Sequence, residues 1–330
     1  WRYKMRENLT WSLGLYSQWL TLNNSFAVEP RAGVRWDFRS KHSISFAYGL
    51  HSQMQTTYLY FARPDTLVSN GVKIWNAERK EANKEMGFTR SQHFVMGYDF
   101  NVSKEFRLKV ETYYQYLWNI PVYKIPSGIS LVNQGASFTR FFPLYNFENS
   151  GTGQNYGIEL TLEKFFSKHY FFLWSTSLFD SKYTGSNGKT YNTDFNGNYV
   201  TNLLAGLEYG LGKTKKNTLS FGTKLTYAGG RRYSPADIAA SNRIYDIVPQ
   251  EDKINSLQFP NYFRFDLRVA YKVNNKKTTH EIALDLVNVL DTRNVLALSF
   301  APDPRRPTAD PLIRNYQLGR LPLFYYKVDF

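Results

Sequence analysis

Strict two-residue alternation, sustained over unusually long stretches, constrains this chain more than any other feature. About twelve segments of roughly 9 to 18 residues carry it, at approximately 8 to 22, 27 to 38, 42 to 58, 91 to 101, 105 to 119, 155 to 165, 169 to 182, 198 to 210, 217 to 228, 262 to 273, 279 to 288 and 319 to 330. Successive side chains of a strand point to opposite faces, so each segment sorts into two sides. One side reads Val34, Trp36 and Phe38; then Phe94, Met96, Tyr98 and Phe100; then Phe263, Phe265, Leu267 and Val269; then Ile282, Leu284 and Leu286. The other side holds Arg35, Asp37, Asp99, Arg107, Lys109, Glu111, Glu159, Glu163, Arg264, Asp266, Arg268, Lys272, Glu281 and Asp285. In the eight clearest segments every charge is expected on that second side. Segment 169 to 182 has large apolar residues at both parities, Phe171, Leu173 and Phe179 against Phe172, Trp174 and Leu178, and its orientation stays open.

A soluble antiparallel sandwich also alternates, and three features speak against it. Soluble strands usually run about 5 or 6 residues, whereas tilted membrane-spanning strands need about 9 to 11. Aromatic residues gather near the ends of the apolar faces, at Trp36 with Phe38, Tyr98 with Phe100, and Tyr114 through Trp118, as in interfacial girdles. After the first hairpin the connections alternate between short and long. Short ones fall at Arg39, Ser40 and Lys41, at Val102 to Lys104, around Lys168, at Gly212 to Lys216 and at Asn274 to Lys277; long ones fall at about 59 to 90, 120 to 154, 183 to 197, 229 to 261 and 289 to 318. Short periplasmic turns and long extracellular loops are the pattern of an outer-membrane barrel. The expected fold is therefore all-β: a transmembrane antiparallel β-barrel wall that takes up the whole chain, 1 to 330.

Composition removes the other classes. With 25 Tyr, 25 Phe and 7 Trp in 330 residues the chain is not disordered. A mean hydropathy of −0.46, with no run of about 18 apolar residues, excludes a spanning helix. Zero Cys excludes disulfides, thiolate metal sites and a cysteine nucleophile. The net charge of +14 is spread over turns, strands and loops rather than gathered into one stripe, so nucleic acid is not an expected partner.

The final strand ends on Phe330 after Phe324, Tyr326 and Val328 at alternate positions. This resembles the terminal aromatic signature by which outer-membrane barrels are recognised for insertion. It would put the C-terminus, and after twelve strands the N-terminus, in the periplasm. Residues Trp1 to Glu7 are expected to be a polar lead-in to the first strand.

The run from Ala228 through Gly229, Gly230, Arg231, Arg232 and Tyr233 to Asp237, the strand from Tyr262 to Val269, the segment from Thr279 to Asn294 and the terminal Phe-Tyr-Tyr-Lys-Val-Asp-Phe resemble the C-terminal part of TonB-dependent outer-membrane transporters, particularly those of Bacteroidota. The match covers about the last hundred residues well and the rest only in pattern. The resemblance implies a 22-stranded barrel occluded by an N-terminal plug and driven through a TonB box by an inner-membrane complex. Plug, TonB box and about ten strands are missing from this sequence, and the favoured expectation is a fragment. Implied partners are the plug domain, the TonB complex, outer-membrane lipids and lipopolysaccharide; a surface lipoprotein is left open.

No catalytic motif appears: neither a Gly-rich phosphate loop, nor His-Glu-x-x-His, nor Gly-x-Ser-x-Gly. The five histidines, His42, His51, His93, His169 and His280, show no ligand spacing and read as structural or interfacial, so no metal and no cofactor are expected. Arg264, Asp266, Arg268, Glu281 and Asp285 read as charges facing the lumen or a plug, paired across strands rather than catalytic. Ligand recognition is expected in the long loops. Tyr123, Phe138, Phe141 and Phe142 offer aromatic faces to a sugar or hydrophobic ligand, or pack the loops together. Arg231, Arg232, Arg305 and Arg306 suit an anionic substrate, or phosphates and sugars of the outer leaflet, the second being favoured. The function expected is TonB-dependent import of a scarce or large ligand: siderophore, corrinoid, glycan or peptide. The alternatives are a structural or assembly barrel within a larger envelope complex, and a pore or enzyme complete in twelve strands.

Overall fold

The structure, a computed structural model, describes residues 1–62, 67–69, 72–74, 83–133, 146–306 and 308–330. Thirteen strands form one sheet: β1 (Arg2–Arg6), β2 (Leu9–Leu20), β3 (Ser25–Arg39), β4 (His42–Gln53), β5 (Thr89–Asn101), β6 (Phe106–Tyr123), β7 (Phe147–Ser167), β8 (Tyr170–Thr184), β9 (Tyr199–Leu211), β10 (Asn217–Ala228), β11 (Tyr262–Asn274), β12 (Thr279–Val287) and β13 (Leu321–Asp329). They pair antiparallel in chain order, and among the described residues no pairing joins β1 to β13. A short strand, Thr190–Asn192, folds back onto the end of β8.

All twelve alternating segments contain strands, with one addition and one shortening: the segment read as 42 to 58 ends as a strand at Gln53, and a helical turn follows at Thr57–Tyr60. The seven residues read as a polar lead-in contain β1, which pairs with β2 through a turn at Glu7 and Asn8. Trp1, Tyr3 and Met5 alternate with Arg2, Lys4 and Arg6, a pattern of the same kind but too short to stand out. The Trp1 and Tyr3 rings stack at 5.2 Å. At 18 and 21 residues, β6 and β7 outrun the expected spans and carry the sheet on into the long-loop end.

Register fixes which side chains share a face. Phe221, Val269, Leu284 and Phe324 are aligned across β10 to β13, and Lys272 stands opposite Glu281. β8, whose orientation the sequence left open, sets Trp174, Thr176 and Leu178 opposite Leu162, Leu160 and Ile158 of β7, on the apolar face. Phe171 takes the other face, its ring lying where a side chain on Gly206 of β9 would have to go. Bulk is thus present on both sides of β8 because a glycine on the neighbouring strand makes room for it.

The rule that every charge lies on one side fails at Lys164. Its parity and its register opposite Phe106 and Phe172 place it on the apolar face. Its side chain is 1% exposed, with Nζ donating to the carbonyls of Phe165 (3.1 Å), Ser167 (3.0 Å) and Tyr170 (3.1 Å) and to Ser167 Oγ (2.7 Å). The ammonium also sits 3.9 Å from the centroid of the Tyr170 ring. It closes the two-residue turn of Lys168 and His169, both left-handed at φ 50° and 74°, the backbone of a tight primed hairpin.

Burial is inverted relative to a water-soluble sheet. Large apolar groups on the wall are exposed, Leu15 at 75% and Ile282 at 59%, whereas the buried apolar clusters lie among the loops: Leu59, Tyr60, Met86, Leu131 and Phe147 in one, Tyr183, Tyr191 and Ile254 in another. A mostly apolar, exposed band around a strand wall is what a lipid bilayer covers. At the short-turn end aromatic rings gird it: His42 stacks on Phe100 at 4.3 Å, His169 on Tyr209 at 5.5 Å and His280 on Tyr326 at 6.1 Å. At the long-loop end Tyr116 stacks on Trp118 and Tyr199 lies against Tyr227. Among the described residues no helix is long and apolar enough to cross a membrane.

Candidate functional site

The face opposite the lipid band carries charges that answer one another. Arg264 Nη2 lies 2.7 Å from Asp266 on the same strand, and Asp266 also accepts from the backbone N–H of Asn288. Arg268 reaches across to β12, 2.7 Å from Asp285 and 2.9 Å from Glu281, which Lys272 approaches at 3.6 Å. Arg107 of β6 grips Asp99 of β5. These groups are partly solvated, so their pairing balances charge along the wall more than it stabilises the fold.

Between the ion pairs and the loops runs a chain of neutral polar groups that sequence reasoning missed. Gln115 Nε2 lies 2.7 Å from His93 Nε2, Asn155 donates to Gln115 at 2.7 Å, Ser181 donates to Asn155 at 2.6 Å and Thr193 donates to Ser181 at 2.8 Å. His51 and His93, 42 positions apart, meet edge to face at 4.6 Å. The signal was present only as register: His93 pairs with Gly49, and a diagonal offset of two residues brings His51 alongside. Among the described residues no group of three or more His, Cys, Asp or Glu is gathered for a metal ion.

Above this belt, the loops enclose a cavity of about 320 Å³ whose apolar walls include Ile129, Tyr233, Ile254, Phe259 and Leu298, with Arg231 among its polar lining. Tyr233 and Phe259 stack at 4.2 Å. Gly229 and Gly230 bring the arginines here: a Cβ on Gly229 would lie 1.8 Å from the carbonyl oxygen of Gly197, and one on Gly230 would lie 1.9 Å from that of Phe259. Only a residue without a side chain lets these backbones approach so closely. Arg232 is a clamp between loops, Nε donating to Asn196 O at 2.9 Å and Nη2 to Asn198 Oδ1 at 2.7 Å. Asn255, fully buried, ties the neighbouring connections together, its amide donating to Asp194 at 2.7 Å and to the Asn192 carbonyl at 2.9 Å.

The remaining candidates are dispersed. Tyr123 packs against Phe147 at 5.9 Å within the first loop cluster. Phe138, Phe141 and Phe142 lie outside the described residues. Arg305 and Arg306 sit in the connection of the hairpin formed by Val295–Phe300 with Leu312–Tyr316, whose Leu298 lines the cavity, and Arg306 pairs with Asp303 at 2.9 Å. Phe324, Tyr326, Val328 and Phe330 continue the apolar face on the open edge strand or just beyond it. An apolar cavity whose lining holds Arg231 and Arg232 together with Asp194 and Asp246, standing over a polar belt, suits a solute with a hydrophobic body and polar groups.

A model of the family described as TonB dependent receptor-like, beta-barrel, matches residues 1–289. No curated protein matches the chain. Solved structures with the same fold include FpvAI in its complex with pyocin S2 (TM-score 0.62, 14% identity, 99% of this chain and 37% of that one) and the siderophore receptor PiuA from Acinetobacter baumannii (0.57, 16%, 98% and 42%). A third is the ferripyoverdine receptor of the outer membrane of Pseudomonas aeruginosa bound to ferripyoverdine (0.59, 13%, 99% and 37%). The chain spans about two fifths of the length of these structures.

Proposed function

Because the chain belongs to the TonB dependent receptor-like β-barrel family, we propose that it forms the C-terminal wall and loops of a transporter that imports a scarce or large ligand with energy delivered through TonB. Its place is the outer membrane, crossed by strands. The observation that carries the reading is the wall itself: mostly apolar outside, ion-paired inside, and unpaired at both edges among the described residues. Further strands would complete the cylinder, and a plug would meet the charged face at Arg264, Asp266, Arg268, Glu281 and Asp285. The short turns face the periplasm and the long loops the exterior, where lipopolysaccharide or a surface lipoprotein would lie against them. The terminal Phe324, Tyr326, Val328 and Phe330 serve recognition during insertion.

The loops capture the ligand, the inner wall passes it on, and the wall performs no covalent chemistry. Siderophore, corrinoid, glycan and peptide remain the classes considered; fold relatives named as siderophore receptors and an apolar cavity with Arg231 in its lining favour the first. The test is uptake in cells with the gene deleted and restored, using a panel of labelled ligands from these classes with and without a proton uncoupler. Loss of one class on deletion, with the restored uptake abolished by the uncoupler, is expected. Uptake that persists in the uncoupled, restored cells would overturn active import.

A further inference from the structure

The short-turn end of the wall holds a concentration of positive charge that neither the ion pairs of the inner face nor import accounts for. Arg39 ends β3 and Lys41 stands in the turn to β4, Lys104 between β5 and β6, and Lys168 between β7 and β8. Lys213, Lys215 and Lys216 follow between β9 and β10, and Lys276 and Lys277 between β11 and β12. All nine are exposed, and none makes a salt bridge among the described residues. The acids of these turns are Glu7 and Glu105, so the rim carries a net +7, half of the chain's +14. Successive turns are two strand spacings apart, about 10 Å, close enough for their fields to overlap within about one Debye length at physiological salt.

Depth supplies the second observation. His42, His169 and His280 stack on Phe100, Tyr209 and Tyr326 beside these same turns, a belt that belongs at headgroup level. The cations therefore project just past the apolar band.

We propose that this rim is an anion-binding surface that docks on the phosphate headgroups of acidic phospholipids in the periplasmic leaflet. The proposal rests on the sidedness assigned above, short turns to the periplasm. Ammonium and guanidinium groups at headgroup depth select a phosphodiester with net negative charge over a zwitterion. An acidic protein would need a shaped, partly apolar contact; the rim offers a row of separated charges.

The full-length protein carrying this chain, in detergent with an equimolar mixture of phosphatidylglycerol and phosphatidylethanolamine, is read by native mass spectrometry. Bound phosphatidylglycerol should dominate, and the preference should fall about tenfold when Lys213, Lys215, Lys216, Lys276 and Lys277 are all changed to Gln. Lys189→Gln with Lys253→Gln, both exposed in long connections at the other end, should leave it unchanged. If the fivefold variant does not fold, judged by heat-dependent gel mobility, Arg39→Gln with Lys41→Gln should lower the preference about threefold. An unaltered ratio in the folded variant overturns the proposal. Sidedness is read separately with Ser40→Cys and Lys189→Cys, this chain having no cysteine of its own. On intact cells an impermeant maleimide should label the second and spare the first; labelling at Ser40→Cys would overturn the orientation, and the periplasmic docking with it, whatever the lipid ratio.

Discussion

The ammonium of Lys164 is turned away from the face that its position in β7 assigns it, and the turn it closes depends on it. A methionine of similar length would keep the packing against Phe106 and Tyr170 but leave the carbonyls of Phe165, Ser167 and Tyr170 without this donor. Lys164→Met should cost about 1 to 3 kcal/mol of stability, read by urea unfolding in lipid vesicles. Two neighbouring residues on β11 separate the two environments of the wall. Leu267, 40% exposed at the middle of its strand, faces lipid, and Leu267→Lys should cost about 2 to 4 kcal/mol. Arg268 faces the other way, half-exposed beside Asp285 and Glu281; Arg268→Gln should cost about 1 kcal/mol in the same assay, because water compensates the acids it leaves. Equal costs would contradict the assignment of faces. Both faces of β11 were legible in the sequence, since its alternation is uninterrupted. Lys164 was not, because parity says where a side chain starts and not where its end is drawn.

Whole strands were legible when both length and contrast between faces were large, as in β5 and β11. β1 escaped notice for lack of length, and β8 could not be oriented for lack of contrast: the recess over Gly206 that admits Phe171 belongs to β9. The loop cavity was legible only in part. Arg231 was a candidate from its own motif, but Ile129 and Leu298 join it from two other connections and Ile254 from the far part of its own, and no local pattern announces that meeting. What the motif did encode is the close approach itself. Gly230→Ala should force the backbones of residues 230 and 259 apart, at a cost of about 1 to 3 kcal/mol. Limited proteolysis should then cut the loop at 229–261 faster while the strand wall stays intact. Unchanged cleavage would mean that the two backbones part without consequence.

For the molecule as a whole, the decisive property is a sheet with two live edges. Among the described residues, β1 and β13 each present unpaired backbone N–H and C=O groups on one side, and β13 is exposed along nearly its whole length. Lipid satisfies neither, so the wall should be stable only when those edges are paired. Residues 1–330 produced alone should fail to show heat-modifiable mobility after reconstitution, while the longer protein carrying them should show it; a heat-modifiable band from residues 1–330 alone would mean that the edges close on themselves. The meander also sets the order in which such a wall can be made. Every strand is joined to the one before it in the chain, so each addition closes only its own connection, and the entropy of closure starts afresh with each hairpin. Growth can then proceed like a row of knitting from one edge, never waiting on a remote stitch. The one slow, long-distance event left is the seam.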